Sequence, residues 1–118
     1  MKIGDLSART GVSQRMLRYY EDAGLIKPVR SAAGYRHYDE KWVKLVSCIK
    51  ILSTAGMKLD AIKVLLPCLS NDDPDPAFYG CAEVRQVLND EIERLNTKMN
   101  ELESSRKLVS EYAKNLAG

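Results

Sequence analysis

The stretch Ser13-Gln14-Arg15-Met16-Leu17-Arg18-Tyr19-Tyr20-Glu21-Asp22-Ala23-Gly24-Leu25-Ile26 decides the fold. Ser13 carries the kind of hydroxyl that caps a helix N-terminus, and Gly24 stands where a left-handed residue closes one. The spacing predicts a helix from Ser13, its N-cap, through Asp22. At about 100° per residue, Arg15, Arg18 and Tyr19 share one side of that helix, while Met16, Leu17 and Tyr20 fall on the other. One face is an apolar plug for Ile3, Leu6, Val12 and Leu25. The opposite face offers two guanidiniums and a phenol.

Upstream, Ile3 and Leu6 stand at helical spacing between Met1 and Thr10, and Gly11 supplies a turn. Two short helices joined by a Gly-containing turn form a helix-turn-helix, whose second helix meets base edges with its N-terminal turn. Arginine pairs bidentately with guanine or phosphate, and Ser13 and Gln14 can add hydrogen bonds to phosphate or base. The competing reading is a merely solvated face, and the next segment argues against it. Pro28 and Ser31-Ala32-Ala33-Gly34 break regular structure, predicting a short hairpin between Val29 and Tyr38 with Gly34 near its tip. Arg30, Tyr35, Arg36, His37 and Tyr38 interleave cations and aromatics there. That composition suits a basic wing laid along phosphates, with Arg36 reaching toward a groove. Tyr20, Tyr35 and Tyr38 equally suit packing between wing and helix, and Tyr20 is expected to do both. His37 has no obvious metal partner and is expected at the surface.

Downstream, Asp39 is the expected N-cap of a third helix running to about Ala55, with Trp42, Val43, Leu45, Val46, Ile49 and Leu52 as its apolar stripe. Gly56 ends it, and a shorter helix follows from about Leu59 to Leu66. Ser70 to Gly80, rich in Asp and Pro, reads as an exposed linker. From Ala82 on, Leu88, Ile92, Leu95, Met99, Leu102, Val109, Ala113 and Leu116 follow a 4-3 alternation, with Arg106 at the missing step. This is a heptad seam on a helix about 50 Å long. Such a rod outruns the domain before it, so dimerisation through a coiled coil is expected; the spacing leaves parallel and antiparallel pairing open. The fold class is thus mainly α. Residues 1–69 make a winged helix-turn-helix head with its two following helices, 70–81 a linker, and 82–118 a dimerisation helix.

Charge follows the same division. Residues 1–58 carry 11 Lys/Arg against 5 Asp/Glu, net +6, whereas 59–118 carry 7 against 11, net −4. A basic head suits a polyanion, and an acidic tail stays off it. Across the 118 residues, 45% are apolar and 29% charged, the balance of a globular chain. No stretch approaches the roughly 18–20 apolar residues of a membrane span. Asp5 and Arg9 interrupt the first apolar residues, so no signal peptide is expected and the cytoplasm is the expected compartment. Three widely spaced cysteines, Cys48, Cys68 and Cys81, argue against a disulfide scaffold. No nucleophile–base pair, phosphate loop or metal cluster points to an enzyme, and no cofactor or metal site is expected.

The string Lys2–Tyr38 resembles the N-terminal winged helix-turn-helix of the MerR family of bacterial regulators. Its most specific pieces are Leu17-Arg18-Tyr19-Tyr20-Glu21, Gly24-Leu25-Ile26 and Gly34-Tyr35-Arg36-His37-Tyr38. Gly56-Met57-Lys58-Leu59 leading into Ile62, a linker and a long helix extend the resemblance over nearly the whole chain. The resemblance implies a homodimer held by an antiparallel coiled coil, bound to a pseudo-palindrome in double-stranded promoter DNA. It also implies bending and untwisting of an over-long spacer so that RNA polymerase engages both promoter elements, an activation by deformation. The family's DNA contacts carry over to Arg18, Tyr19, Tyr20, Tyr35, Arg36 and Tyr38.

In the family, the segment after the dimerisation helix usually carries the sensor, as a Cys-rich metal loop, a four-cysteine cluster or a drug-binding domain. None of these is read in the 118 residues. Cys81 stands at the start of the long helix, where metal-sensing relatives place a ligand, but it lacks a second donor close in sequence. Cys68 resembles a cysteine of a short-chain subgroup associated with thiol-reactive or stress signals. Both are candidate sensor thiols, with a buried structural thiol as the alternative; Cys48, among Val46, Ile49 and Leu52, is expected to be buried. The alternative for the whole protein is a non-signalling DNA-bending or scaffold protein that uses its coiled coil for partners.

Overall fold

The turn that separates the first two helices is built by its own polar side chains. A computed structural model describes residues 1–70 and 77–116. Helix α1 (Ile3–Thr10) ends where Thr10 Oγ1 donates to the Leu6 carbonyl at 2.8 Å and accepts from the Val12 N–H at 3.3 Å. Helix α2 (Gln14–Asp22) begins at Ser13, whose Oγ accepts from the Met16 N–H at 3.1 Å. This satisfies one of the amides that every helix N-terminus leaves open. At the far end, Gly24 (φ +79°) turns the chain left-handed. Its N–H donates to the Glu21 carbonyl and that of Leu25 to the Tyr20 carbonyl, each at 2.9 Å, so the last helical carbonyls are paired.

The wing follows as an antiparallel pair, β1 (Val29–Arg30) and β2 (Arg36–His37), with Val29 opposite His37 and Arg30 opposite Arg36. The start of the chain is fastened to its base. The Met1 ammonium donates to the Tyr38 carbonyl at 2.7 Å, and the Tyr38 N–H donates back to the Met1 carbonyl at 2.7 Å.

Helix α3 spans Lys41–Thr54 and helix α4 Leu59–Leu65. The residue flanking α3 is Glu40 rather than the expected Asp39, and no side chain caps the helix. Asp39 contributes its carbonyl instead, accepting from the Trp42 N–H at 3.1 Å. Helix α4 stops at Leu65, and Leu66–Cys68 tighten into a 3-10 turn. Pro67 has no N–H with which to continue an α-helical ladder.

Leu6 of α1, Leu17 and Tyr20 of α2, Val46 and Ile49 of α3, and Ile62 of α4 close over one core. Leu17 is wholly buried, so its truncation to Ala would cost about 2–5 kcal/mol.

The chain divides into two compact units, Met1–Gly80 and Cys81–Gly118. Residues 71–76 of the expected linker lie outside the described residues. Its two flanks are paired rather than loose. Leu69 and Phe78 form an antiparallel bridge, Ser70 N–H donates to the Ala77 carbonyl at 2.7 Å, and Tyr79 N–H donates to the Cys68 carbonyl at 2.8 Å.

The second unit is helix α5 (Ala82–Lys114), 33 residues and about 50 Å long at about 1.5 Å per residue. Cys81 caps it, its Sγ accepting from the Val84 N–H at 3.5 Å. Of the seam, Ile92, Met99, Leu102, Val109 and Leu116 are exposed, while Leu88 and Leu95 are half-buried. Arg106 turns its guanidinium onto Glu103 of the same helix at 2.5 Å. Leu108 and Tyr112, which the heptad pattern did not include, are exposed as well, so the apolar face widens toward the C-terminal end. Among the described residues no helix is long and apolar enough to cross a membrane.

Candidate nucleic-acid interface

With Leu17 and Tyr20 drawn into the core, helical periodicity turns Arg15, Arg18 and Tyr19 outward. Tyr19 is 53% exposed. Met16, expected on the apolar side, is only partly covered. Ser13 uses its oxygen as an acceptor for the helix cap, which leaves its O–H free to donate outward. Gln14 lies beside α1, close enough that a side chain at Gly4 would meet its Nε2 at 3.5 Å. Ser13 and Gln14 thus stand at a helix N-terminus, where amide dipoles favour an anion.

The wing is fixed against α2 through one carboxylate. Glu21 Oε2 accepts from Arg36 Nε at 2.6 Å, and Glu21 Oε1 accepts from Arg30 Nη2 at 3.2 Å. Arg30 Nη1 also donates to the Gly34 carbonyl at 3.1 Å, tying strand to tip. The hydrogen bond to Glu21 holds the Arg36 guanidinium above its usual pKa. A guanidinium has five donors, so Arg36 keeps its Nη hydrogens for a ligand while Nε is held. Glu21 was not among the sequence-derived site residues. The signal available for it was a carboxylate three residues after Arg18, an acid on a basic face.

Tyr35 stands at the tip, 68% exposed, and His37 is exposed as expected. One expected DNA contact, Tyr38, is placed otherwise, and a second, Tyr20, is mostly covered. Tyr20 is 3% exposed and Tyr38 2%, both within the head's core, and burial pushes both phenols above their usual pKa. The Tyr38 hydroxyl, closed to solvent, cannot meet a phosphate without leaving its site. Tyr20 has the packing role expected of it, and Tyr38 packs within the head's core. The Tyr38 hydroxyl is buried without a hydrogen-bond partner among the described residues.

The three cysteines diverge. Cys48 is buried, and desolvation pushes its thiol up; Cys68 is half-buried and Cys81 exposed. No group of three His, Cys, Asp or Glu that could hold a metal ion stands together among the described residues.

A model of the MerR HTH family regulatory proteins matches residues 1–68. The chain belongs to the MerR family. Among curated relatives, the uncharacterized HTH-type transcriptional regulator PA4778 of Pseudomonas aeruginosa is 29% identical over 100% of this chain and 86% of that protein. The HTH-type transcriptional regulator HmrR of Rhizobium leguminosarum bv. viciae is 32% identical over 92% of this chain and 81% of its own. The crystal structure of the transcription regulator PbrR691 from Ralstonia metallidurans CH34 in complex with lead(II) superposes with a TM-score of 0.78. That alignment has 29% identity and covers 100% of this chain and 88% of the other. These MerR relatives are transcriptional regulators, not enzymes. This chain is accordingly a MerR-type transcriptional regulator that binds DNA through its helix-turn-helix head.

Proposed function

We propose that the protein acts as a homodimer on a pseudo-palindromic promoter element and controls transcription by distorting it. The observation that carries this reading is the Glu21 bridge, which sets both wing arginines beside the exposed face of α2. The head then presents Arg15 and Tyr19 to a groove, and Arg18, Arg30, Tyr35 and Arg36 to the flanking backbone. The exposed stripe of α5 from Ile92 to Leu116 supports pairing with a second copy in an antiparallel coiled coil. Two heads joined by such a coil engage the two half-sites together. DNA must bend and untwist to meet both, at a cost of about 1–6 kcal/mol offset by backbone contacts. RNA polymerase is the partner that reads the altered spacing, in the cytoplasm.

The test is selection of bound genomic fragments, followed by footprinting and a circular-permutation bending assay. A two-fold footprint inside a promoter spacer with a measurable bend is expected. A single half-site footprint, or straight DNA, would contradict the reading.

For the signal, sulfur is the candidate chemistry. Cys81 is exposed and Cys68 half-buried, which supports a response to thiol-reactive compounds. The lead(II) in the PbrR691 structure raises a soft cation as the other candidate. Among the described residues of one chain no group of three such donors stands together to hold it. A Cys68→Ala, Cys81→Ala double variant is expected to lose promoter response to an electrophile. An unchanged response would remove the thiol reading.

A further inference from the structure

Resting on the DNA-binding reading, we propose that the start of α1 is a third element of the interface, with Lys2, Arg18 and Arg36 jointly seating one backbone phosphodiester. A concavity of about 230 Å³ is lined by Lys2, Ile3, Arg18, Gly34, Tyr35 and Arg36. Three of its six lining residues are cations, from α2, the wing and the residue before α1, and none is an acid. The Glu21 carboxylate is spent on holding Arg36 by Nε, and that of Asp5 on the Lys2 backbone N–H.

Lys2 is there because the fold places it there. The paired hydrogen bonds between Met1 and Tyr38, both 2.7 Å, pin the chain start to the wing's base. The Lys2 N–H donates to Asp5 Oδ2 at 3.1 Å, which fixes its backbone as the entry to α1. Its side chain is exposed, and no salt bridge is found for it among the described residues. The chemistry fits a phosphodiester. Arginine offers a flat fork of donors to two oxygens, lysine a mobile point charge to the same group, and neither reads a base. The exposed rim of Tyr35 stands beside the seat, where its hydroxyl can donate to a neighbouring phosphate oxygen.

A contact of this kind has a signature distinct from base readout. Losing it weakens binding by a similar factor on operator and non-operator DNA, and it flattens the salt dependence. The experiment measures affinity by fluorescence anisotropy over a salt series for the full chain, Lys2→Gln, Lys2→Arg and Arg18→Ala, each checked by thermal melting. Lys2→Gln is expected to lower the slope of log K against log[salt] by about 0.9 for each head bound. Lys2→Arg should restore it. An unchanged slope for Lys2→Gln beside weakened binding by Arg18→Ala would overturn the seat and leave the DNA reading standing. If neither variant changes binding, the DNA-contact face itself is wrong. Inorganic phosphate at matched ionic strength forms the second arm. It is expected not to displace DNA; displacement that Lys2→Gln abolishes would assign the seat to free phosphate and overturn the proposal.

Discussion

Glu21 and Arg36 meet at 2.6 Å across 15 residues of chain, and this contact ties the wing to α2. The same carboxylate takes Arg30 at 3.2 Å, so two wing cations share one anchor on the recognition helix. The side chain of Glu21 is largely buried while that of Arg30 is half exposed. The Arg36 bond is therefore the stronger of the two, since exposed pairs are screened by solvent.

Replacing Glu21 by Gln keeps the shape and removes the charge. The variant is expected to lose about 1 kcal/mol of stability, from weakened charge-assisted hydrogen bonds. Hydrogen exchange should speed up at the wing amides of Ser31, Gly34 and Tyr35, while those of α2 stay protected. Uniform loss of protection through the head would mean that Glu21 supports the core rather than the wing.

Tyr38→Phe separates packing from DNA contact at one position. The buried hydroxyl has no partner among the described residues, and an unsatisfied buried donor is costly. Deleting it while keeping the ring should leave stability unchanged or raise it by up to about 1 kcal/mol, with DNA affinity unaltered. A drop in affinity without loss of stability would return Tyr38 to the contact face.

Gly24→Ala probes the turn out of α2. At φ +79° an L side chain is strained, and the added Cβ would lie 2.8 Å from Lys63 Nζ, which itself donates to the Ala23 carbonyl at 3.3 Å. The lysine end can swing away, so the backbone conformation dominates the cost, about 1–2 kcal/mol. A lowered denaturant midpoint at constant m-value is the expected result.

Leu102→Asp tests the coiled coil. Leu102 is 70% exposed on α5, so in a single chain the change is nearly free. In the proposed dimer it buries a charge at the seam, a penalty of about 3–5 kcal/mol. Sedimentation should shift from dimer to monomer while the head's circular dichroism and melting persist. A dimer that survives would place the interface elsewhere.

The features legible in the sequence were those that short stretches determine. Ser13, Gly11 and Gly24 mark helix ends within a few residues of themselves, and the 4-3 pattern from Leu88 to Leu116 is read along one helix. The features that escaped depend on residues far apart in the chain. Glu21 looks like any surface acid until the wing folds over it. Helical periodicity separates Tyr20 from Tyr19, but Tyr38 carries the same side chain as Tyr35, and only the packed core decides which of those two is covered. Lys2 acquires meaning only because Met1 bonds to Tyr38. The α4 ending was within reach, since Pro67 stands one residue beyond the predicted end.

The central claim is that the exposed face of α2 meets DNA, and Arg18→Ala tests it most directly. Anisotropy with an operator duplex at fixed salt should show binding weakened by about 1–3 kcal/mol, with the melting temperature unchanged. Undiminished affinity in a folded Arg18→Ala variant would contradict the account.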